Sequence, residues 1–339
     1  MDRAGGGPAL TRRRQYDEDD VRVRPGRGSR PRTRTRPKHA DAVDGFVTTV
    51  DRGRYTCRVG DTDVTAMRAR ELGRKGVVVG DRVSLVGDTS GRDGTLARIV
   101  RIGERHGELR RTADDDEALI ERIIVANVDQ LVVVASLADP PPRTGFIDRC
   151  LVAAFDADIA PLLCLTKADI DTEDAALAEV LSYYADLEFD HITCHPDEPL
   201  DELLAKLHGK LSVLIGHSGV GKSTLVNRLV PDADRSVGVV SAIGKGRHTS
   251  TNAVALELPD SGWIVDTPGV RSFGLAHVSA DSLLLAFGDL AEVATGCPRG
   301  CDHTGNSGDC ALDSLRAADG TAPQRLLSYR RLLETSSSQ

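Results

Sequence analysis

Residues 216–224, "GHSGVGKST", lie between an apolar run at 210–216 ("KLSVLIG") and a helix-like stretch at 224–230 ("TLVNRLV"). No other feature narrows the fold as much. Gly-x4-Gly-Lys-Ser/Thr works only where a strand turns abruptly into a helix. There, successive backbone N–H groups cradle phosphate oxygens at the helix N-terminus. Gly216, Gly219 and Gly221 permit the curl, with His217, Ser218 and Val220 between them and Thr224 starting the helix. Lys222 is placed to reach the β- and γ-phosphates, and Ser223 to ligate Mg²⁺. A nucleoside triphosphate with Mg²⁺ is therefore expected.

The surrounding sequence has the rhythm such a loop needs. "DQLVVVASLA" (129–138) and "APLLCLTKAD" (160–169) are continuous apolar runs, the mark of strands buried on both faces. Helical stretches are expected at 144–158, 173–186 and 199–208. Alternation of this kind predicts a parallel sheet covered by helices. The loops after its strands lie at one end, where ligands bind. "LTKAD" (165–169), "ITCH" (192–195) and the phosphate loop each end a strand, so all three are expected at one pocket.

Upstream, residues 41–105 read as short strands broken by Gly and Asp, with a hairpin around Asp51–Arg54. This suits a small β-barrel, of the oligonucleotide-binding type or SH3-like. "HGELRRTADDDE" (106–117) reads as a polar linker. Residues 1–40 hold twelve Lys/Arg against five acids, a charge of +7 on a chain of net −8, so the remainder carries −15. A basic, Gly/Pro-rich arm of that kind is expected to be disordered, either as a solubilising tail or as a ligand for polyanions. Its arginines favour RNA. No apolar run has the length of a membrane span, and no apolar stretch follows the basic N-terminal residues, so a cytoplasmic protein without a secretory signal is expected. The expected organisation is a multidomain chain: a basic arm (1–40), an OB-like barrel (41–112), an α/β domain (113–290) and a small C-terminal domain with a terminal helix (291–339).

Further motifs refine the chemistry. In "WIVDTPG" (263–269), Asp266 ends a β-rich run, where an acid holds Mg²⁺ through water, and Gly269 offers its N–H to a γ-phosphate. Between this motif and the phosphate loop lies "SAIGKGRHTSTN" (241–252), a polar switch-like segment in which Thr249 or Thr251 is placed to close over Mg²⁺. In the Thr166-Lys167-Ala168-Asp169 loop, the Asp169 carboxylate can accept from guanine N1–H and the 2-amino group together, a match adenine cannot supply. A site built that way discriminates by roughly 10⁴. Lys167 would pack its stem over the base. The base loop here precedes the phosphate loop. A parallel sheet needs its loops correctly placed in space, so a rotated chain order is physically permitted.

Of seven cysteines, Cys57, Cys150, Cys164 and Cys194 sit singly in apolar settings, where buried free thiols are expected. The other three form Cys297-x3-Cys301-x-His303-x6-Cys310. Three thiolates and an imidazole suit a closed, structural, tetrahedral zinc site. The following "APQRLLSYRRLLE" (322–334) reads as a helix whose Arg325, Arg330 and Arg331 are either available to nucleic acid or simply solvated.

Taken together, these residues resemble the circularly permuted ribosome-assembly GTPases, the ribosome small-subunit-dependent GTPase A family (RsgA/YjeQ). The resemblance runs from about 41 to 335 and is carried by the barrel, the inverted motif order, "GKGRHTST", "DTPGVRSFGL" and the cysteine knuckle. It implies an OB-like barrel, a circularly permuted P-loop GTPase domain and a zinc-binding domain. It also implies a monomer that binds GTP and GDP, contacts the small ribosomal subunit and its rRNA, and hydrolyses GTP during late subunit maturation, stimulated by the subunit. Val270 stands where many GTPases carry a water-orienting glutamine, and the resemblance points to His248 as the residue that supplies the missing function, alongside Lys222 and Thr251. Thr166 stands where the family usually has asparagine, so a lower nucleotide affinity is expected. The knuckle's first gap is three residues where four is commoner, and the arm at 1–40 lies outside the resemblance. The competing readings are an ATP-using P-loop protein and a zinc-containing RNA-binding module that takes guanine nucleotide as a ligand without significant turnover.

Overall fold

A computed structural model of the chain describes residues 39–73, 76–112, 121–170, 175–185, 187, 189–231, 253–267, 278–305 and 309–337. The arm at 1–38 lies outside the described residues.

Five strands form the N-terminal barrel: β1 (Val43–Asp51), β2 (Arg54–Val59), β3 (Thr62–Arg68), β4 (Arg82–Gly87) and β5 (Ala97–Ile102). The hairpin expected at Asp51–Arg54 turns through Arg52 and Gly53, both at positive φ (43° and 83°), the conformation a two-residue hairpin loop demands. β1 pairs with both β2 and β4, while β3 and β5 run parallel and β4 and β5 antiparallel. This closed 1-2-3-5-4 order is that of an oligonucleotide-binding barrel, which decides between the two small barrels the sequence allows. Alternate residues fill it, among them Val47, Cys57, Val64, Leu85 and Ile99.

The stretch read as a polar linker contains a strand. β6 (Leu109–Thr112) pairs antiparallel with β7 (Glu121–Val125). Leu109, the one large apolar residue of that stretch, is buried in the main core beside Val125. One well-placed leucine outweighs the surrounding charge.

The central sheet contains β8 (Gln130–Ser136), β9 (Ala160–Thr166), β10 (Asp190–Cys194), β11 (Leu211–Ile215), β12 (Val254–Glu257) and β13 (Trp263–Asp266), in the order β10-β9-β8-β11-β13-β12. All neighbouring pairs are parallel except β12–β13. The helices α1 (Thr144–Asp156), α2 (Ala175–Tyr183) and α3 (Asp201–Leu207) fall within the expected stretches, while α4 (Lys222–Leu229) begins two residues before the expected start at Thr224. β8, β9 and β11 are apolar throughout or nearly so, and both of their faces are covered, one by each of two hydrophobic clusters. β1 of the barrel also pairs with β12 at Thr49 and Val254. There Phe46 packs on Trp263 with ring centroids 4.9 Å apart, and Arg58 lies over the same indole while pairing with Glu257 at 3.2 Å. The barrel thus braces the strand that ends in Asp266.

The C-terminal part consists of α5 (Ala280–Leu285), α6 (Gly288–Ala294), a cysteine-bearing loop, a 3-10 segment (Ala311–Ala317) and α7 (Ala322–Ser337). Leu326, Tyr329, Leu332 and Leu333 of α7 join the same core as α1. This placement corrects the reading of the α7 arginines. Arg325 is fully buried, its guanidinium gripped by Asp289 at 2.6 and 2.8 Å. Arg330 is buried against the His303 carbonyl (3.0 Å) and Asp313 (2.9 Å). Only Arg331 stays exposed, crossing α1 at Gly145, where a Cβ would meet its guanidinium at 2.1 Å. The periodicity of "RLLSYRRLL" shows a helix but not which arginines have acids waiting in α6 and the 3-10 segment. Removing such an acid strands a buried cation, so Asp289→Ala is expected to lose about 3–5 kcal/mol of stability, read by denaturant unfolding.

Candidate functional site

The phosphate loop leaves β11 at the sheet's centre. A Cβ on Gly216 would meet the Val134 carbonyl oxygen of β8 at 2.6 Å, so only glycine lets the loop pass so close to the neighbouring strand. Gly221 (φ 89°) is the N-cap of α4 and supplies no side-chain cap. The first N–H groups of α4 therefore remain available to an anion. Ser218, Ser223 and Thr224 are exposed at this turn, and Val220 is buried beneath it. His217 packs on Phe146 of α1 with ring centroids 4.2 Å apart. Burial, then the charge of Arg143, lowers its pKa, leaving the imidazole neutral at neutral pH.

Leu214 of β11 is in register with Asp266 of β13. The Lys222 Nζ donates to Asp266 Oδ1, so the phosphate-loop cation and the carboxylate of "WIVDTPG" face each other. Thr267, which the sequence reading passed over, is buried and donates from Oγ1 to the Leu214 carbonyl at 3.2 Å. Gly269 and Val270, and the segment 241–252 with His248, Thr249 and Thr251, lie outside the described residues.

β9 delivers the base loop to the same end of the sheet, with Thr166 in register with Ser136 of β8. The Thr166 hydroxyl lies 2.6 Å from the Val220 carbonyl and 3.2 Å from that of Ala135. Having one proton, it donates to the nearer. Thr166 therefore ties the base loop directly to the phosphate loop, 54 residues downstream. Lys167 adopts a positive φ of 57° and donates from Nζ to the Asp139 carbonyl, while Ala168 packs against the core and Asp169 is exposed. Asp139, a wall of this site, was not singled out from sequence. Its only signal is that it opens the Pro140-Pro141-Pro142 break after β8.

Cys297, Cys301, His303 and Cys310 converge, each offering one ligand atom, all within 4.8 Å of one another. Cys297 Sγ is 3.6 Å from His303 Nδ1 and 3.9 Å from Cys310 Sγ, and Cys310 Sγ is 3.8 Å from His303 Nδ1. Ligands at about 2.0–2.3 Å around a tetrahedral ion are spaced by roughly 3.5–3.8 Å, so the donor set fits a metal. The Ala311 N–H reaches Cys297 Sγ at 3.3 Å, and an Arg330 Nη lies 3.9 Å from Cys310 Sγ. Both offset the charge of a thiolate cluster.

The family model for RsgA GTPases matches residues 102–276. The chain belongs to the RsgA GTPase family. A small ribosomal subunit biogenesis GTPase RsgA from Chlorobaculum tepidum is 32% identical over 87% of this chain and 98% of that protein. Another of that name, from Ectopseudomonas mendocina, is 41% identical over 62% of each. Among solved structures, YjeQ from Thermotoga maritima superposes with a TM-score of 0.68 at 23% identity, covering 88% of this chain and 99% of that one. YloQ, a circularly permuted GTPase, gives 0.65 at 24% identity, covering 90% and 98%. These two similarities concern the fold.

RsgA-family membership accounts for the order of the loops. The chain lays down β8, β9 and β10 on one flank of the sheet, then β11 at the centre, then β12 and β13 on the other flank. The base loop comes first in sequence, yet its Thr166 touches the phosphate loop in space. In this RsgA-family chain that single hydroxyl spans the join, so Thr166→Val is expected to weaken guanine nucleotide binding about tenfold by leaving the Val220 carbonyl without its donor. Titration with a fluorescent GDP analogue reads the change.

Proposed function

We propose that this chain hydrolyses GTP in the cytoplasm as a maturation factor of the small ribosomal subunit, bound to that subunit's rRNA as a monomer and stimulated by it. The observation that supports this best is the Thr166–Val220 hydrogen bond, which joins a guanine-type loop to a phosphate loop in the rotated order of the RsgA family. The names of the relatives, small ribosomal subunit biogenesis GTPases, supply the partner.

In this reading Asp169 recognises the guanine edge, with Lys167 along the base and Thr166 and Ala168 shaping the loop. The backbone of residues 216–224 holds the phosphates, and Lys222 turns from Asp266 to the β- and γ-phosphates. Ser223 directly and Asp266 through water would hold Mg²⁺, which would supply charge neutralisation to the phosphates. Gly269 donates to the γ-phosphate. Thr251 or Thr249 closes over it, and His248 completes the site when the subunit binds, because the Val270 side chain has no polar group to orient water. A completion of this kind is worth roughly 10³–10⁵ in rate. Cys297, Cys301, His303 and Cys310 hold one structural zinc. The proposed boundaries are 41–112 for the barrel, 113–290 for the GTPase domain and 291–339 for the zinc domain, with the basic arm before them. No helix among the described residues is long and apolar enough to cross a membrane.

Sedimentation tests the partner. Loaded with a non-hydrolysable GTP analogue, the chain is expected to pellet with purified small subunits. Its remaining in the supernatant at micromolar subunit would overturn the assignment.

A further inference from the structure

Cys164 and Cys194 are not used by any step above. Both point to the same face of the sheet from adjacent parallel strands, with Ile192 opposite Cys164 and Cys194 opposite Thr166. Their sulfurs are 3.6 Å apart in the hydrophobic cluster beneath α3 and α4. Cys194 is the last residue of β10, which pairs with β9 alone among the described strands, at the edge of the sheet. Cys164 stands two residues before Thr166, whose hydroxyl joins the two nucleotide loops.

We propose that Cys164 and Cys194 form an oxidisable dithiol, closed to a disulfide by hydroperoxides, and that closure loosens the guanine loop. Forming the bond requires the sulfurs to approach by about 1.5 Å, to the S–S length of roughly 2.05 Å. The edge strand can yield by that much, whereas β9, held between β8 and β10, resists. The movement therefore falls on the end of β10, where Cys194 lies opposite Thr166, the residue whose hydroxyl reaches the Val220 carbonyl.

The environment supports the order of events. The Arg228 guanidinium donates to the carbonyls of His195 (2.8 Å) and Glu198, directly after Cys194. Hydrogen bonding from Cys164, then the charge of Arg228, lowers the pKa of the Cys194 thiol against the effect of burial. By contrast, burial pushes the Cys57 thiol up to about 12 and raises that of Cys150 as well. Cys194 sits on the edge strand with 6% of its surface exposed, whereas Cys164 is fully buried on an inner strand, so Cys194 attacks first. Its thiolate takes the terminal oxygen of the hydroperoxide, the O–O bond breaks, and the leaving alkoxide or hydroxide picks up a proton to give alcohol or water. The resulting sulfenic acid is attacked at sulfur by Cys164, forming the S–S bond and releasing water. Two thiols lose two electrons and the peroxide gains them. In a cytosolic chain a disulfide of this kind is expected to be transient and redox-sensing.

The test uses the full zinc-loaded chain treated with hydrogen peroxide. Peptide mapping is expected to find Cys164 linked to Cys194. Binding of a fluorescent GDP analogue is expected to weaken about tenfold as the end of β10 shifts beside Thr166, and to recover with dithiothreitol. Cys164→Ser and Cys194→Ala are expected to keep their affinity after peroxide. Absence of the linked peptide, with both thiols recovered free or Cys194 found as a sulfinic acid, overturns the proposal. So does a linked protein with unchanged affinity, or a Cys194→Ala chain as peroxide-sensitive as the wild type. The mapping is read on the wild-type chain and stands whether or not the variants fold. The affinity arm rests on the guanine site proposed above, and a reduced chain that binds no GDP would overturn that site without touching the thiol chemistry.

Discussion

Asp169→Asn is expected to weaken GTP binding by about 10³–10⁴ and to transfer preference to xanthosine triphosphate. In the proposed site the carboxylate would accept two guanine N–H groups at once. An asparagine amide presents a donor where the 2-amino group needs an acceptor, whereas xanthine carries an oxygen at that position and restores the pair. Asp169 is exposed at the loop and outside the core, so the substitution leaves the fold in place and its effect reads on recognition. Calorimetric titration of both chains with GTP, xanthosine triphosphate and ATP separates the outcomes. A variant that keeps GTP would show that Asp169 does not read the base, and a wild-type chain that takes ATP as readily would place the protein among ATP-using P-loop proteins.

Cys310→Ser is expected to have the largest structural effect. It removes one of the four proposed ligands, and elemental analysis should fall from about one zinc per chain to near zero. The consequence extends past the loop. Arg330 ties His303 and Asp313 to α7, and Tyr329, Leu332 and Leu333 of α7 belong to the core shared with α1. Loss of a structural metal therefore frays an element that the GTPase sheet is packed against. A destabilisation of more than about 4 kcal/mol is expected, a fall of roughly 10 °C in melting temperature. Chelator treatment of the wild-type chain should reproduce it. A Cys310→Ser chain with full zinc and an unchanged melting temperature would show that these residues are not the ligands.

The sequence exposes those parts of the site where one backbone or one ligand geometry tolerates few residue types. Gly216 must be glycine because β8 passes against it, and the knuckle must be cysteine and histidine because the donors set the metal. Both are legible at a fixed spacing. The base loop is legible once the phosphate loop is recognised, since each ends an apolar strand of one parallel sheet. The contacts that join these parts are not legible. Thr166 reads as a weak substitute for asparagine until its hydroxyl is seen on the Val220 carbonyl, a partner 54 residues away. Arg325 and Arg330 read as solvent-facing until α6 and the 3-10 segment bring Asp289 and Asp313 against them. The pairing of β1 with β12 joins residues about two hundred apart, and β6 hides as a single leucine among charges. Local spacing encodes elements and ligands, whereas long-range pairings depend on how the elements pack.

The central claim is that a guanine site assembled in rotated order is switched on by the small ribosomal subunit. GTP hydrolysis titrated with purified small subunits measures it directly. Slow turnover is expected of the chain alone, with Val270 in place of a water-orienting side chain, and saturable stimulation of roughly 10³-fold or more as subunits are added. That stimulation should be largely lost in His248→Ala. Turnover that stays at the same low level at saturating subunit would contradict the account and leave the chain a guanine-nucleotide-binding protein without catalysis.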